Sequence, residues 1–493
     1  MFEATELPLF LDYFRVPYRA FDRRVAVWPT LPETHPLQEC GLIQKPTNGG
    51  PERRLAWPTR AALAAHGFAP RVSRLDSIPI FAAVLPDAVA ADWLIDAPGT
   101  WTPRTALVDT RGRRVGSIWQ DRDSGSIFLP LDPAEAIDAY WSERYKMVGA
   151  SMRTRARKFA GEAYYRARPA IPRRAQIALR RLASRLQSRA PFPQWPLETG
   201  LHDLYELLFG LLGEIGREPI PWIAPWPNGF TWAVVLTHDV ETKRGYEHLE
   251  LLRELEVASG RRSSWNFVPG RYVVDDEVVR RLTDDGFEVG VHGLYHDGRD
   301  VSPAFVAERR PKMAAAAAQW SATGFRAPAT RRVWEIMPTL GFDYDSSYPD
   351  TDPFEPDGGG CCTWLPFFNG ETVELPITLP QDHTLFHILR HEDESLWLRK
   401  AEELRRRGGL ALLITHPDYM VDASSREAYG RFLGSFANDA TAWSALPRDV
   451  SSWWRRRAAS HLERIGGRWE IVGPAAGEGR VAYAPVYAAG ATP

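Results

Sequence analysis

From Phe230 to about Met420 the chain repeats one pattern: a short, nearly continuous apolar run, then a longer stretch whose apolar positions recur at helical spacing. The runs that read as strands are "FTWAVVLTHD", "RSSWNFVPG", "FEVGVHG", "GFRAPAT", "FDYDSSY", "TVELPIT" and "LALLITHP". Between several of them lie helical patterns, "GYEHLELLRELEVASG", "DDEVVRRLTDDG" and "SLWLRKAEELRRRGG" among them. Strands apolar on both faces, alternating with helices, predict a parallel sheet. With about seven strands, a closed or nearly closed β/α barrel over residues 229–425 fits as well as an open sheet.

The flanks follow other patterns. Residues 1–145 mix short apolar runs with turn signals and predict an N-terminal α/β or α+β domain; no catalytic constellation occurs in it. Residues 146–228 form a basic helical region with a Pro-rich linker. From Arg144 to Arg189 there are fourteen Lys or Arg and a single acid, Glu162. There Leu179, Leu182, Ala183 and Leu186 share one helical stripe while arginines take mostly the other faces, which predicts a basic amphipathic helix at 173–189. Such a helix is either solvated and packed on a neighbour, or a peripheral contact for anionic lipid headgroups or an anionic polymer. Residues 426–493 predict a C-terminal extension: a helix over "DVSSWWRRRAASHLERIG", then a hairpin made from "RWEIVG" and "GRVAYAPVY".

Composition narrows the reading a little. At 493 residues the chain is too long for one ordinary core. A formal net charge of −2 gives no general attraction to nucleic acid. The nineteen Trp suit either large cores or sugar-stacking surfaces, and composition does not choose. Three cysteines, two of them adjacent (Cys361 and Cys362), make neither a disulfide framework nor a zinc ribbon. With no basic apolar leader and no long apolar span, the expected location is cytoplasmic.

Ionisable residues gather where the predicted strands end, the edge at which parallel β/α folds carry their sites. The first strand ends in His238, Asp239, Val240 and Glu241, the third in His292 and His296, the fourth in Arg326, the last in His416 and Asp418. His292 and His296, four apart, would share a helical face and a cation. A carboxylate from another strand end would complete a set that leaves positions open for water and substrate. A second carboxylate is then needed to take a proton, and breaking an amide also needs an acid for the leaving amine, for which His416 is the available imidazole.

These residues resemble the motifs of the NodB-homology polysaccharide deacetylases, carbohydrate esterase family 4, over about Phe230 to Asp418: "LTHDVE", "HGLYH", "RAP" and "LLITHP", in the family's order. The resemblance implies a distorted (β/α)7 barrel and assigns roles position by position. Asp239 corresponds to the general base, His292 and His296 to the metal-binding pair, and Arg326 to the Arg that holds the base. His416 corresponds to the general acid, and Ile414 to the apolar residue lining the acetyl pocket. The sequence departs from the family in two places. Val240 stands where a second Asp usually binds metal, so Glu241 is the expected ligand, as in branches with Asp-x-Asp. Gly293 replaces a hydroxyl residue. The acid that pairs with His416 is either Asp345 or Asp382, with Asp382 preferred.

The resulting expectation is a metal-dependent hydrolase that removes N-acetyl groups from an amino sugar, in a polysaccharide or its precursor. Its partner is an N-acetylated carbohydrate, and its cofactor a divalent metal, zinc first, with cobalt or nickel as alternatives. Two other readings stay open: hydrolysis of ureide-like cyclic amides on the same barrel, and a metal-free glycan-binding pseudoenzyme.

Overall fold

The computed structural model describes residues 2–4, 8–20, 28, 30–32, 35–37, 41–45, 50–148, 192–355 and 357–484. The basic helix expected at 173–189 lies outside the described residues, as does Cys40. The chain divides into two compact units, one of residues 1–155, 199–224 and 457–493, the other of residues 156–198 and 225–456.

The second unit carries the repeating pattern. Its strands are β1 (Trp232–Val240), β2 (Ser264–Phe267), β3 (Glu288–Val291), β4 (Gly324–Phe325), β5 (Tyr344–Asp345), β6 (Phe367–Asn369), β7 (Thr372–Glu374), β8 (Leu410–Thr415) and β9 (Ala442–Ser444). All belong to one sheet with the order β6-β7-β5-β4-β3-β2-β1-β8, and β9 adds to β1. Every pairing is parallel except β6 with β7. All nine residues of β1 are buried, as expected for a central strand covered on both faces. Past β7 the chain continues toward β8: the Thr378 and Leu379 amides donate to the Leu412 carbonyl, and the Leu412 amide to Thr378 Oγ1 at 2.8 Å. Ile377 meanwhile bonds to Tyr348 and Asp350 on the β5 side. The seven expected strands are therefore all present, in a mixed α/β unit whose two sheet ends are joined by backbone hydrogen bonds.

Helices cover this sheet at Glu250–Ala258, Asp276–Asp284, Val306–Trp320, Ser395–Arg406 and Ala423–Ser435. Trp226, Trp265, Trp397, Trp453 and Trp454 are among the largest fully buried side chains. These tryptophans fill cores and are not sugar-stacking surfaces.

The first unit is built on a mainly antiparallel nine-stranded sheet, with Gly200–Gly216 as its longest described helix. Its C-terminal segment differs from the expected pairing. The predicted helix stops at Ala458, and "HLERI" becomes a strand, His461–Ile465, paired antiparallel with Arg468–Val472. Gly466 and Gly467 join them, both with positive φ, which is the two-residue turn that suits the twist of paired strands. Val481–Ala484 pairs instead with Ile220–Ile223.

Candidate functional site

The parallel ladder sets the site residues at one edge of the sheet. Asp239 lies in β1 and Glu241 directly follows it; His292 follows β3, Arg326 follows β4, and His416 follows β8. The ladder runs one step beyond the strands, since the His292 amide donates to Phe267 O at 2.8 Å and the Arg326 amide to Val291 O at 2.9 Å. Those bonds fix where each side chain starts.

Asp239 is buried, and two donors meet on its Oδ1: Arg326 Nη1 at 3.0 Å and Asn266 Nδ2 at 2.9 Å. Burial alone would raise its pKa, but Arg326, aided by His292 and His416, holds it down at about 2. Its Oδ2 lies 3.9 Å from His292 Nε2. Arg326 is anchored in turn by the Ser346 carbonyl at 2.7 Å, the Ser346 hydroxyl at 2.8 Å and Thr237 Oγ1 at 2.8 Å.

Glu241, His292 and His296 bring one potential ligand atom each within 4.8 Å of one another. Glu241 Oε1 is 3.0 Å from His296 Nε2. His292 Nδ1 faces the Arg326 carbonyl at 3.1 Å, which fixes the tautomer and turns Nε2 inward. The Nε2 atoms of both histidines are buried and make no hydrogen bond of acceptable geometry. Two buried imidazole nitrogens turned toward a carboxylate oxygen are the donor set of a zinc-class ion, so these residues fit the implied cofactor. Burial lowers the His292 pKa to about 4, keeping the ring neutral as a ligand must be. The Glu241 carboxyl, despite its burial, is held well below the usual range by His296.

The two histidines do not share a helical face. Residues 292–299 are irregular, and His296 has φ +55°. Gly293, at φ +64°, takes the chain out of the helical region here. A Cβ at that position would sit 2.6 Å from Pro328 Cδ and closer still to Asp300 Oδ2. The glycine that departs from the family motif is thus required by a left-handed backbone and a close approach.

On the opposite side His416 Nδ1 lies 2.6 Å from Asp382 Oδ1, and the His416 amide donates to Asp382 Oδ2 at 2.8 Å. Asp382, not Asp345, is therefore the acid beside His416. Asp345 bonds to Ser347 and neighbours Glu374 instead. Burial would lower the His416 pKa, but Asp382, with Glu241 and Asp239, raises it to about 10. Its Nε2 lies 3.9 Å from Glu241 Oε1. Ile414, two residues earlier in β8, is fully buried.

His238 is separate from this cluster. Its ring packs tilted against Trp265, centroids 4.1 Å apart, and bonds to Thr415 Oγ1 at 2.7 Å and Glu256 Oε1 at 2.8 Å. Val240 is buried, and its carbonyl accepts from Tyr272. Three contributors escaped the reading of the sequence. Asn266 holds Asp239, and Gly290 leaves the space its side chain occupies. Tyr419 donates to Glu241 Oε2 at 3.2 Å. Asp418, already placed by the sequence at the end of the last strand, accepts from the Glu241 amide at 3.1 Å. Asn266 sits in β2, a strand with no ionisable residue at its end.

No protein-family model matches the chain, and no curated protein matches it significantly. Among solved structures it is similar to a Mycobacterium smegmatis protein provisionally described as a polysaccharide deacetylase, at 19% identity over 47% of this chain and 92% of that one, with a TM-score of 0.39. It is similar also to an allantoinase, at 17% identity over 49% and 95% of the two chains, with a TM-score of 0.38. A third is a family 4 carbohydrate esterase from Streptomyces lividans in complex with acetate, at 13% identity over 44% and 93%, with a TM-score of 0.28.

Proposed function

We propose that the second unit is a distorted (β/α)7 barrel acting as a metal-dependent hydrolase, and that it removes N-acetyl groups from an amino sugar. The observation that carries this reading is the convergence of Glu241, His292 and His296, with both buried Nε2 atoms turned toward the Glu241 carboxylate, between a fixed carboxylate and a charged imidazole. Glu241, His292 and His296 would hold the ion. When bound, a zinc-class ion supplies Lewis-acid polarisation of a carbonyl and lowers the pKa of water to about 7.

Asp239 is the group that takes the proton of the attacking water. Arg326 and Asn266 occupy Oδ1, so Oδ2 is the oxygen free to receive it. A carboxylate near pKa 2 is a weak base, so it depends on water made acidic at the same site. His416 bears the opposite task. Asp382 keeps Nδ1 engaged, the ring is cationic at neutral pH, and Nε2 carries the proton that the departing amine needs. Ile414 supplies an apolar wall for the acetyl methyl group.

The test is acetate release from a panel of N-acetylated glycans by protein loaded with zinc or cobalt. No acetate from any glycan would overturn the reading. Ring-opening of small cyclic ureides, monitored as loss of the ureide because it releases no acetate, would move the substrate class to non-sugar C–N bonds.

A further inference from the structure

The loop that carries both metal-site histidines has no regular structure, yet His296 adopts a left-handed backbone that only surrounding contacts can maintain. The contacts come from a helix outside the site. Arg309, on Val306–Trp320, is buried and grips Asp297, the residue after His296, through both arms of its guanidinium: Nη1 to Oδ1 at 2.6 Å and Nη2 to Oδ2 at 2.7 Å. The same Nη1 reaches Asp300 Oδ1 at 2.9 Å. Asp300 in turn occupies the space against Gly293, the residue after His292. The guanidinium is covered by Tyr295 at 5.1 Å and Phe305 at 5.2 Å, and is itself buried. One arginine therefore fixes the residue following each histidine.

We propose that Arg309 is a positioning residue for the metal centre: its fork on Asp297 and Asp300 folds the 293–300 loop so that the His292 and His296 Nε2 atoms converge with Glu241. This rests on the metal-site reading above. The physical reason is that a loop without helical hydrogen bonds must be pinned from elsewhere, and a bidentate Arg–carboxylate pair fixes orientation as well as distance.

The experiment measures the Zn²⁺ dissociation constant by chelator competition on the full chain, with circular dichroism of the metal-free protein as the fold control. Arg309→Met should remain folded and bind Zn²⁺ about 10–100-fold more weakly, the range typical for partners of ligating histidines. Arg310→Met, at the exposed neighbour that donates to the Thr339 carbonyl, should bind as the wild type does. A folded Arg309→Met protein with wild-type affinity overturns the proposal. If that variant does not fold, Asp297→Asn and Arg309→Lys decide. Each weakens the fork while leaving its bulk in place, and each should lose affinity by a smaller factor; wild-type affinity in both overturns the proposal. A wild-type protein that binds no Zn²⁺ overturns the metal reading and this clamp together, whereas tight wild-type binding matched by Arg309→Met removes the clamp alone.

Discussion

At Asp239 two donors converge on one carboxylate oxygen, and the other is left toward the histidines. That asymmetry separates holding from reacting. Asp239→Asn keeps a side chain of the same shape outside the ligand set, so bound metal should stay stoichiometric while turnover falls by about 10²–10⁴-fold. Metal analysis alongside acetate release checks both halves, and unchanged turnover would exclude Asp239 as the base. Glu241 predicts the reverse order of events. Glu241→Gln removes the only anionic ligand of the three, and Zn²⁺ affinity should drop by more than about 100-fold before any effect on chemistry can be read. Chelator competition measures it; an undiminished affinity would mean that the third ligand is another group. Val240, which cannot bind a cation, costs the site nothing in this arrangement. In the proposed site Glu241, two positions from Asp239, would supply the carboxylate, because alternate residues of an extended chain project to the same side.

Among the elements, the loop after β3 is where backbone geometry and site geometry meet. Gly293→Ala must place a Cβ at φ +64° against Pro328 and Asp300, which combines a left-handed penalty with overpacking. A destabilisation of about 2–5 kcal/mol is expected, with weaker Zn²⁺ binding because both histidines move. Denaturant unfolding and chelator competition on the same preparation test this, and a variant of wild-type stability would show that the loop relaxes freely. Behind β1 the network of His238, Glu256, Ser263 and Tyr429 ties that strand to two covering helices. Its polar atoms satisfy one another away from the ligand cluster, as buried groups must. His238 thus has a packing role although it adjoins Asp239.

For the second unit as a whole, the buried acids decide how stability responds to pH. Glu288 in β3 is pushed up to about 7 by burial, which its bonds to Tyr344 at 2.6 Å and the Arg448 amide at 3.0 Å offset only in part. The folded chain therefore holds this proton more tightly than the unfolded one, whose carboxyl titrates near 4.5. The associated stability is fully present below pH 4.5 and is lost as pH rises to 7, on the order of 3 kcal/mol in all. Glu288→Gln should flatten the stability profile across that window. Chemical unfolding at a series of pH values checks it, and an unaltered slope would assign the dependence to another group. Among the described residues no helix is long and apolar enough to cross a membrane.

The sequence by itself determined the alternation of strand and helix, and with it all seven parallel strands, because a strand buried on both faces must be apolar throughout. It also determined which residues stand at the sheet edge, since a polar group closing an apolar run has nowhere else to go. It could not say how those residues meet. That His292 and His296 converge through a left-handed loop was hidden, because spacing of four suits a helix as well, and the deciding contacts come from Pro328, Asp300 and Arg309, outside the five residues of the motif. The choice of Asp382 over Asp345 likewise needed the packing of β8 against the segment after Leu379, a relation that exists only across the fold. The pairing of Val481–Ala484 with Ile220–Ile223, about 260 residues apart, was equally beyond local pattern. Local periodicity follows from what each segment must bury. Tertiary structure alone decides which buried surfaces are shared.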